Sequence, residues 1–484
     1  MEVFLKLLSL TIITFISIIL IEIFLFETLV IFENPENSKT WLSILTILPI
    51  LGFIIYFVLV YRGKHHRMFK HKHLRNKKLK EKVRLQQNTL VKTDVVMGED
   101  MDRTKKLVRL SLQNSLAPLS INNQVRVLTN GNEKFHALFE ALENAKEHIH
   151  VEYYIFRDDN IGQKFRDLLI RKSLEGIEVK LIIDGVGSHG LPQTFFNLLR
   201  NANIKVKWFF PVRFPYFTRK LNYRNHRKIV VIDGRVGFMG GFNIGDEYLS
   251  RDPKLGFWRD THLIVEGDSV HLLQTVFLND WSFLTGEQIE GPMYYPTPKQ
   301  VGRQLIQIIA GGPDSEWEPI HQLFFTALAN AEQRIWIETP YFIPDESMMM
   351  ALKTASLSGV DVRIIVQGIP DHKITYWASQ SYFDDLLNAG IQVYRYIKGI
   401  LHSKVVIIDS GIGIVGSANF DIRSFKLDFE ISAISYNKDF VLRLEQDFEQ
   451  DFRDSKLQDA QVFMNRGWSP RLREANARIL SPLL

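Results

Sequence analysis

The first hundred residues carry two long apolar stretches separated by a short polar one. Residues 7–21 contain no charged residue, and residues 41–61 are again free of charge, although Glu22 interrupts the first stretch. Because about 20 mostly apolar residues cross the core of a bilayer, the pattern predicts a transmembrane hairpin over residues 1–62. A cleaved signal peptide is disfavoured, since the stretch lacks a small-x-small cleavage site and a second span follows it.

A basic run follows the second apolar stretch. Residues 62–84 hold eleven Lys and Arg with a single acid, Glu81, whereas the loop between the spans holds only Lys39. Since positive residues stay on the cytoplasmic side, we expect everything after the hairpin to lie in the cytoplasm. Residues 63–115 are interpreted as a basic juxtamembrane linker on anionic lipid headgroups. A nucleic-acid-binding tail is the alternative, but the position directly after a span favours lipid.

Beyond the linker, short apolar runs rich in β-branched residues alternate with helical patterns, and the series occurs twice. The corresponding segments are 148–156 and 334–342, 176–183 and 359–366, and 201–206 and 388–393. Such alternation is typical of a parallel sheet covered by helices. We therefore predict an α/β fold with two duplicated halves, residues 116–295 and 296–484, each a mostly parallel sheet flanked by helices.

Composition narrows the chemistry. The 484 residues include no cysteine, which excludes disulfides, thiolate nucleophiles and cysteine-based zinc sites and suits a reducing or redox-neutral location. The sequence contains no P-loop and no Asp-rich metal motif. We therefore expect neither a cofactor nor a metal.

One short motif occurs in both halves with the same spacing. A Lys lies two residues after a His, an Asp seven residues after it, a Gly fourteen and an Asn seventeen. The first copy comprises His226, Lys228, Asp233, Gly240 and Asn243, and the second comprises His402, Lys404, Asp409, Gly416 and Asn419. Residues two apart on an extended chain point to the same side, so each His and Lys can face one ligand. Five matched positions argue against coincidence.

The paired motif resembles the H-x-K-x4-D motifs of the phospholipase D superfamily, over most of residues 120–455. Within that superfamily the chain resembles the bacterial cardiolipin synthases, through the two-span N-terminus and the stretches 222–228, 240–245, 339–345 and 477–484. Two positions depart from the expected pattern, Glu338 and Asp428. The resemblance implies that the halves share one cleft about a pseudo-twofold axis.

Two His and two Lys suit the chemistry of a phosphodiester. Two ammonium groups and the amides of Asn243 and Asn419 can hold the non-bridging oxygens. One His can attack phosphorus while the other protonates the leaving alkoxide and then deprotonates the incoming alcohol. By analogy with the superfamily, His226 is the expected nucleophile and His402 the expected general acid and base.

Carboxylates downstream of the motifs are candidates to orient the histidines. We expect Glu430 to orient His402 in the second half and Asp260 to orient His226 in the first. Asp233 and Asp409 belong to the motif and are counted with the catalytic residues. A bracing role in the motif loop is favoured for these two acids over contact with substrate.

The resemblance implies transfer of a phosphatidyl group from one phosphatidylglycerol to another with release of glycerol, at a bacterial cell membrane. A hydrolytic phospholipase D is the alternative, and an inactive membrane scaffold or nucleic-acid binder is a third hypothesis that the intact motifs oppose. The expected partners are phosphatidylglycerol and anionic membrane lipid, with no nucleic acid. Two segments are left open: residues 211–220 could enter the headgroup layer or form a packed surface loop. Residues 472–484 could dock at the cleft, lie on the membrane or cap the second half.

Overall fold

The computed structural model describes residues 101–211 and 222–481. Apart from Asn222, these residues belong to one compact unit, Phe69–Val212 with Tyr223–Leu484. A second unit, Met1–Met68 with Arg213–Asn222, falls almost entirely outside the described residues, as do the predicted transmembrane hairpin and the basic run. None of the helices in the described ranges combines the length and the apolar character needed to span a bilayer.

The first half is built on a seven-stranded sheet. A helix precedes it, α1 (Met101–Asn114). The strands are β1 (Asn123–Leu128), β2 (His148–Tyr153), β3 (Glu178–Asp184), β4 (Lys205–Phe209), β5 (Ile229–Ile232), β6 (Val236–Gly240) and β8 (His262–Gly267), in the order β1-β8-β6-β5-β2-β3-β4. The helices are α2 (Gly131–Glu143), α3 (Asn160–Leu174), α4 (Gln193–Asn201) and the closing helix α5 (Val270–Thr285).

The second half repeats this plan in an eight-stranded sheet. Its strands are β9 (Ile306–Gly311), β10 (Arg334–Thr339), β12 (Asp361–Gln367), β13 (Gln392–Tyr396), β15 (Val405–Ile408), β16 (Ile412–Gly416), β18 (Glu430–Ser435) and β19 (Ser455–Leu457), in the order β19-β13-β12-β10-β15-β16-β18-β9. Its helices are α6 (Pro319–Ala329), α7 (Glu346–Leu357), α8 (Lys373–Gln380), α9 (Phe383–Asn388), α10 (Ile422–Lys426), the closing helix α11 (Lys438–Arg453), α12 (Ala460–Met464) and α13 (Trp468–Ile479). Two short pairs complete the set: β7 (Phe257–Arg259) with β14 (Gly399–Leu401), and β11 (Phe342–Ile343) with β17 (Phe420–Asp421).

Both sheets are mixed, so the prediction of mostly parallel sheets is wrong. In the first sheet only the β2–β3 and β3–β4 pairings are parallel, and in the second only β10–β12 and β12–β13. The parallel pairs are those joined by helical crossovers. The motif strands β5 and β15 instead run antiparallel to β2 and β10, and each forms a tight hairpin with the next strand. The Asp at the end of each motif strand begins that hairpin turn.

The motif strands are buried on both faces. In β5, Ile229 and Val231 enter a core shared with residues of the second half, while Val230 and Ile232 pack with the helices of the first half. The same alternation holds in β15, because Val405 and Ile407 enter the shared core and the other two residues of the strand face the core of the second half. The two sheets therefore share one hydrophobic core, to which the strands that follow the motif histidines contribute.

The end of the predicted linker is folded. Helix α1 places Leu107 in the core of the second half, and Val108 and Leu112 pack with Leu305. The side chain of Gln307 also donates a hydrogen bond of 2.7 Å to the Ala117 carbonyl. Residues 101–114 are thus part of the folded unit, which differs from the interpretation of residues 63–115 as a linker throughout.

Candidate active site

The two motif histidines lie at equivalent places in the two sheets. Each precedes its motif strand, and because that strand is antiparallel to β2 or β10, its start lies at the carboxyl end of the parallel strands. Electrostatic interactions link His226 with His402 and with both motif lysines. The side chains of the two histidines are only 11% and 12% exposed. The structure therefore brings both motifs together in one buried site.

Each histidine is oriented by a carboxylate from the opposite half. His226 Nδ1 lies 2.8 Å from Glu430 Oε1, and His402 Nδ1 lies 2.7 Å from Asp260 Oδ2. The expected pairing of Glu430 with His402 and of Asp260 with His226 is wrong, because the docked halves exchange their acids. With Nδ1 occupied in each ring, Nε2 is the nitrogen left for chemistry.

Main-chain hydrogen bonds between the halves support the exchanged pairing. The His226 N–H donates to the Phe429 carbonyl at 2.9 Å, and the His402 N–H donates to the Arg259 carbonyl at 2.7 Å. Both acceptors immediately precede the orienting acid. The short β7–β14 pairing runs parallel beside the second of these contacts. Each motif loop is thus held against the acid-bearing segment of the other half.

The motif lysines complete a positively charged cluster. Lys228 Nζ donates to the carbonyl of His226 at 2.6 Å, and Lys404 Nζ donates to that of His402. Burial lowers the pKa of Lys228 to about 7 and that of Lys404 to about 8. A bound anion would favour the charged forms, so the site is suited to a phosphodiester.

The environments of the two histidines differ. Burial, followed by the charges of Lys228 and Lys404, holds the pKa of His226 well below its usual value. Burial and Lys404 also lower the pKa of His402, but the Asp260 carboxylate opposes that shift. A neutral imidazole suits a nucleophile, and an imidazole with a carboxylate that favours its cation suits a general acid. This difference favours the predicted roles.

Asp233 and Asp409 lie at the far ends of their motif strands, roughly 20 Å of extended chain from the histidines. The Asp233 carboxylate accepts hydrogen bonds from the main-chain N–H groups of residues 146–148, at 2.8–3.0 Å. Asp409 does the same for residues 332–334. Both acids have positive φ, 53° and 52°, at the start of the hairpin turn. The geometry favours the bracing role and does not support counting them with the catalytic residues.

The two motif asparagines have different surroundings. Asn243 Oδ1 accepts from the Ile155 N–H at 3.1 Å, and its Nδ2 donates to the Tyr248 hydroxyl. Both polar atoms of the Asn243 side chain are therefore engaged in hydrogen bonds within the fold. Asn419 is also buried, but its Oδ1 has no hydrogen-bond partner among the described residues. Of the two predicted substrate-binding amides, Asn419 keeps more capacity for a ligand.

Close approach of the backbone requires glycine beside the orienting acids. A Cβ on Gly241 would lie 1.9 Å from Asp260 Oδ1, and one on Gly416 would lie 2.4 Å from the Ile431 carbonyl oxygen. In the second half Ser417 follows that glycine, and its hydroxyl donates to Glu430. Gly241 thus makes room for the Asp260 carboxylate, and Gly416 makes room for the backbone that follows Glu430. The motif glycine of the first copy, Gly240, would place a Cβ 2.6 Å from the Thr261 carbonyl oxygen.

Several residues of the site were not found from the sequence. The Tyr154 ring lies 5.0 Å from His226, and the Trp258 ring lies 5.4 Å from His402. Asp428, one of the two unusual positions, pairs with Arg423 at 3.2 Å, and burial raises its pKa to about 7. Aromatic residues are common in strands and loops, so only the position of Tyr154 within the repeated segment 148–156 gave a signal. Within residues 101–211 and 222–481, no group of three or more His, Asp or Glu is arranged to hold a metal ion.

Comparison with known proteins defines the class. The model of the family described as "Cardiolipin synthase, PLD-like domain" matches residues 138–281 and 324–452. The fold is similar to that of phosphatidylserine synthase from Haemophilus influenzae, with a TM-score of 0.60 and 16% identity over 78% of this chain and 100% of that one. The chain is therefore a PLD-like protein whose fold contains two PLD-like repeats.

Sequence relatives narrow the class to one family. The chain is 44% identical to cardiolipin synthase 2 of Bacillus anthracis, over 95% of this chain and 90% of the relative. It is 43% identical to cardiolipin synthase of a Geobacillus species, over 93% and 90%. The chain belongs to the cardiolipin synthase family and is a phosphatidyltransferase enzyme.

Proposed function

We propose that this enzyme transfers a phosphatidyl group from one phosphatidylglycerol to the primary hydroxyl of another, forming cardiolipin and releasing glycerol. The observation that carries the proposal is the pair of buried histidines, each oriented at Nδ1 by an acid of the opposite half. The names of the relatives indicate the reaction. The two oriented imidazoles can act as its nucleophile and as its general acid and base.

The first half-reaction forms a covalent intermediate. His226 Nε2 attacks the phosphorus of the first phosphatidylglycerol, and the bond from phosphorus to the glycerol headgroup breaks. His402 donates a proton to the departing glycerol oxygen. The ammonium groups of Lys228 and Lys404 stabilise the negative charge that grows on the non-bridging oxygens. The product is phosphatidyl-histidine and free glycerol.

The second half-reaction is the reverse process with a different alcohol. His402, now neutral, removes the proton from the primary hydroxyl of a second phosphatidylglycerol, and that oxygen attacks phosphorus. The phosphorus–nitrogen bond breaks and His226 is regenerated. One phosphodiester is exchanged for another, so no nucleotide activation is required.

Water competes with the second lipid for the intermediate, which separates this function from hydrolysis. Purified enzyme in phosphatidylglycerol vesicles should yield cardiolipin and one glycerol for each cardiolipin, in the presence of a chelator. Phosphatidic acid as the sole lipid product would contradict synthase activity and support a phospholipase D.

Binding of the phosphodiester should depend on the charge of the two lysines. With pKa values of about 7 and 8, both are protonated below pH 7 and lose their charge as the pH rises. We expect the affinity for glycerophosphoglycerol, measured by calorimetry, to fall by at least about tenfold between pH 6.5 and 9. Lys404→Arg, whose guanidinium stays charged, should flatten the upper part of this dependence. An affinity independent of pH in the wild type would contradict the assignment.

We further propose that the enzyme acts at the membrane, anchored by the predicted hairpin and basic run. Helix α13 supports this within the described residues. Trp468, Leu472 and Ile479 are 78%, 52% and 38% exposed and recur at the spacing of one helical face. The exposed charged residues of α13, Arg471, Arg473 and Arg478, are all cationic. This combination fits an anionic lipid surface.

The position of α13 links that face to the site. It packs along α8, with Arg473 stacked over the Trp377 ring and Arg478 donating to the Ser381 carbonyl. Helix α8 follows β12, which is parallel to β10, and the carboxyl end of β10 pairs with the start of β15. The helix pair therefore begins at the sheet edge that carries His402. For residues 472–484, this arrangement supports contact with the membrane over docking at the cleft or capping of the second half.

A single thiol can test the membrane contact, because the natural chain has no cysteine. In full-length Leu472→Cys, an environment-sensitive fluorophore should move to shorter wavelength in phosphatidylglycerol vesicles and be quenched by spin-labelled lipid. Leu174, which is 72% exposed on α3 of the first half, gives the control Leu174→Cys, expected to stay in water. Equal exposure to water at both labels would exclude α13 from the interface.

A further inference from the structure

Two buried arginines lie behind the histidines, and each is held by a pair of buried acids. Arg227 pairs with Asp280 of α5, beside Glu152 of β2. Arg259 pairs with Asp451 of α11 at 2.7 Å and with Glu338 of β10 at 3.4 Å. All six residues are at most 5% exposed. Enclosing so many charged groups is costly unless they are paired and hydrogen-bonded, so the arrangement requires an explanation.

The acids are related by the internal repeat, but the arginines are not. Glu152 and Glu338 occupy the same place in the segments 148–156 and 334–342, and Asp280 and Asp451 occupy the same place in the closing helices. Arg227, however, corresponds to Ser403 in the second motif. Arg259 corresponds to Phe429 by strand register, since Gly240 pairs with His262 and Gly416 with Ser432. The arginines held by the two acid pairs thus come from positions that are not equivalent in the repeat.

The two arginines nevertheless make equivalent contacts. Arg227 Nε donates to the main-chain carbonyl of Glu430 at 3.0 Å, and a second nitrogen donates to the Gly311 carbonyl. Arg259 Nη1 donates to the main-chain carbonyl of Asp260 at 2.7 Å and to the Thr261 hydroxyl. In both cases the guanidinium fixes the backbone of the acid that orients a motif histidine.

We propose that Arg227 and Arg259 are positioning residues. Each arginine is held by two acids of one half, and it fixes the acid that orients the motif histidine of that same half. In the first half Glu152 and Asp280 hold Arg227, which fixes Glu430 beside His226. In the second half Glu338 and Asp451 hold Arg259, which fixes Asp260 beside His402. The inference rests on the proposed roles of the histidines. Under this proposal, docking of the two halves also aligns both imidazoles.

Conservative substitutions test the proposal without leaving buried acids unpaired. Arg227→Lys and Arg259→Lys keep the charge but lose the forked donor, so the orienting acids should shift. We expect kcat to fall by about 10–100-fold, as a displacement near 1 Å costs, with KM changed less than about threefold. Arg334, which lies at the amino end of β10 away from the site, pairs with Glu445 and donates to the Asp409 carbonyl at 2.9 Å. It gives the control Arg334→Lys, expected to lower the Tm with kcat unchanged.

The pH dependence of kcat separates positioning from general stability. In Arg259→Lys, His402 should lose its alignment with Asp260. The limb of the kcat–pH profile that His402 governs should then move to lower pH, by on the order of half a pH unit. Arg227→Lys should move the other limb. Asp451→Asn, which loosens Arg259 without touching the site, should move the same limb as Arg259→Lys to a smaller extent. A lower Tm with both limbs unmoved, as expected for Arg334→Lys, would overturn the proposal. Whether wild type forms cardiolipin or phosphatidic acid tests the proposed function separately.

Discussion

His226→Ala and His402→Ala should each abolish measurable cardiolipin synthesis, with loss of at least about 10⁴-fold in kcat. The two losses have different causes, because His226 is expected to bear the phosphatidyl group and His402 to move protons. A phosphatidyl ester of p-nitrophenol distinguishes them, since its leaving group needs little protonation. With that substrate His402→Ala should release p-nitrophenol in a single burst and stall as the covalent intermediate, whereas His226→Ala should release none.

The control for this experiment is Asp233→Asn. Its carboxylate accepts three main-chain hydrogen bonds at the far end of the motif strand, so the substitution should lower the Tm and leave the burst intact. A burst in His226→Ala and none in His402→Ala would exchange the roles of the two histidines. Full turnover in either variant would exclude the proposed chemistry and leave a scaffold as the explanation.

The second large effect should follow from the orienting acids. Asp260→Asn removes the charge that favours the cation of His402, and Glu430→Gln replaces the carboxylate that holds His226 Nδ1. We expect each to reduce kcat by about 10²–10⁴-fold through a misaligned imidazole or the wrong tautomer. In Asp260→Asn the pKa of His402 should fall, so the limb that needs protonated His402 should move to lower pH.

The exchanged pairing can be observed directly with ¹⁵N-labelled histidine. Glu430→Gln should alter the ring resonances of His226 more than those of His402, and Asp260→Asn should do the opposite. The Asp428→Asn variant is the control, since Asp428 lies two residues from Glu430 but bonds to Arg423. If Glu430→Gln altered mainly His402, the pairing across the halves would be contradicted.

The duplication and the motif could be read from the sequence because both are local. Five motif positions and three segments recur at matching places in the two halves. A strand of four apolar residues after each His-x-Lys is buried as its pattern indicates. The bracing role of Asp233 also followed from its place before a turn. These features depend on short stretches of chain, whose geometry the sequence limits strongly.

The exchanged acids and the arginine contacts could not be predicted in this way. The interval from His402 to Glu430 suggested a partner within one half, but the interval does not say how the halves dock. Arg227 and Arg259 are not repeat-equivalent, so aligning the halves conceals their common role. A signal existed in the acids: Glu152 and Glu338 both interrupt apolar strands at the same place, and a buried carboxylate requires a partner.

The parallel sheet was predicted wrongly for a related reason. Helical patterns between β2, β3 and β4 correctly indicate crossovers, and those strands are parallel. The loop before β5 gives no comparable pattern, and the antiparallel return of β5 beside β2 depends on tertiary packing. That return brings His226 to the carboxyl end of the parallel strands.

The most direct measurement is to mix the full-length enzyme with phosphatidylglycerol labelled in its phosphate, quench it within one turnover under conditions that preserve phosphoramidates, and map the label by mass spectrometry. We expect one phosphatidyl group per chain, on the peptide that contains His226. Label on His402 would reverse the roles of the two imidazoles, and turnover to cardiolipin with no phosphorus on either histidine would contradict the covalent route altogether.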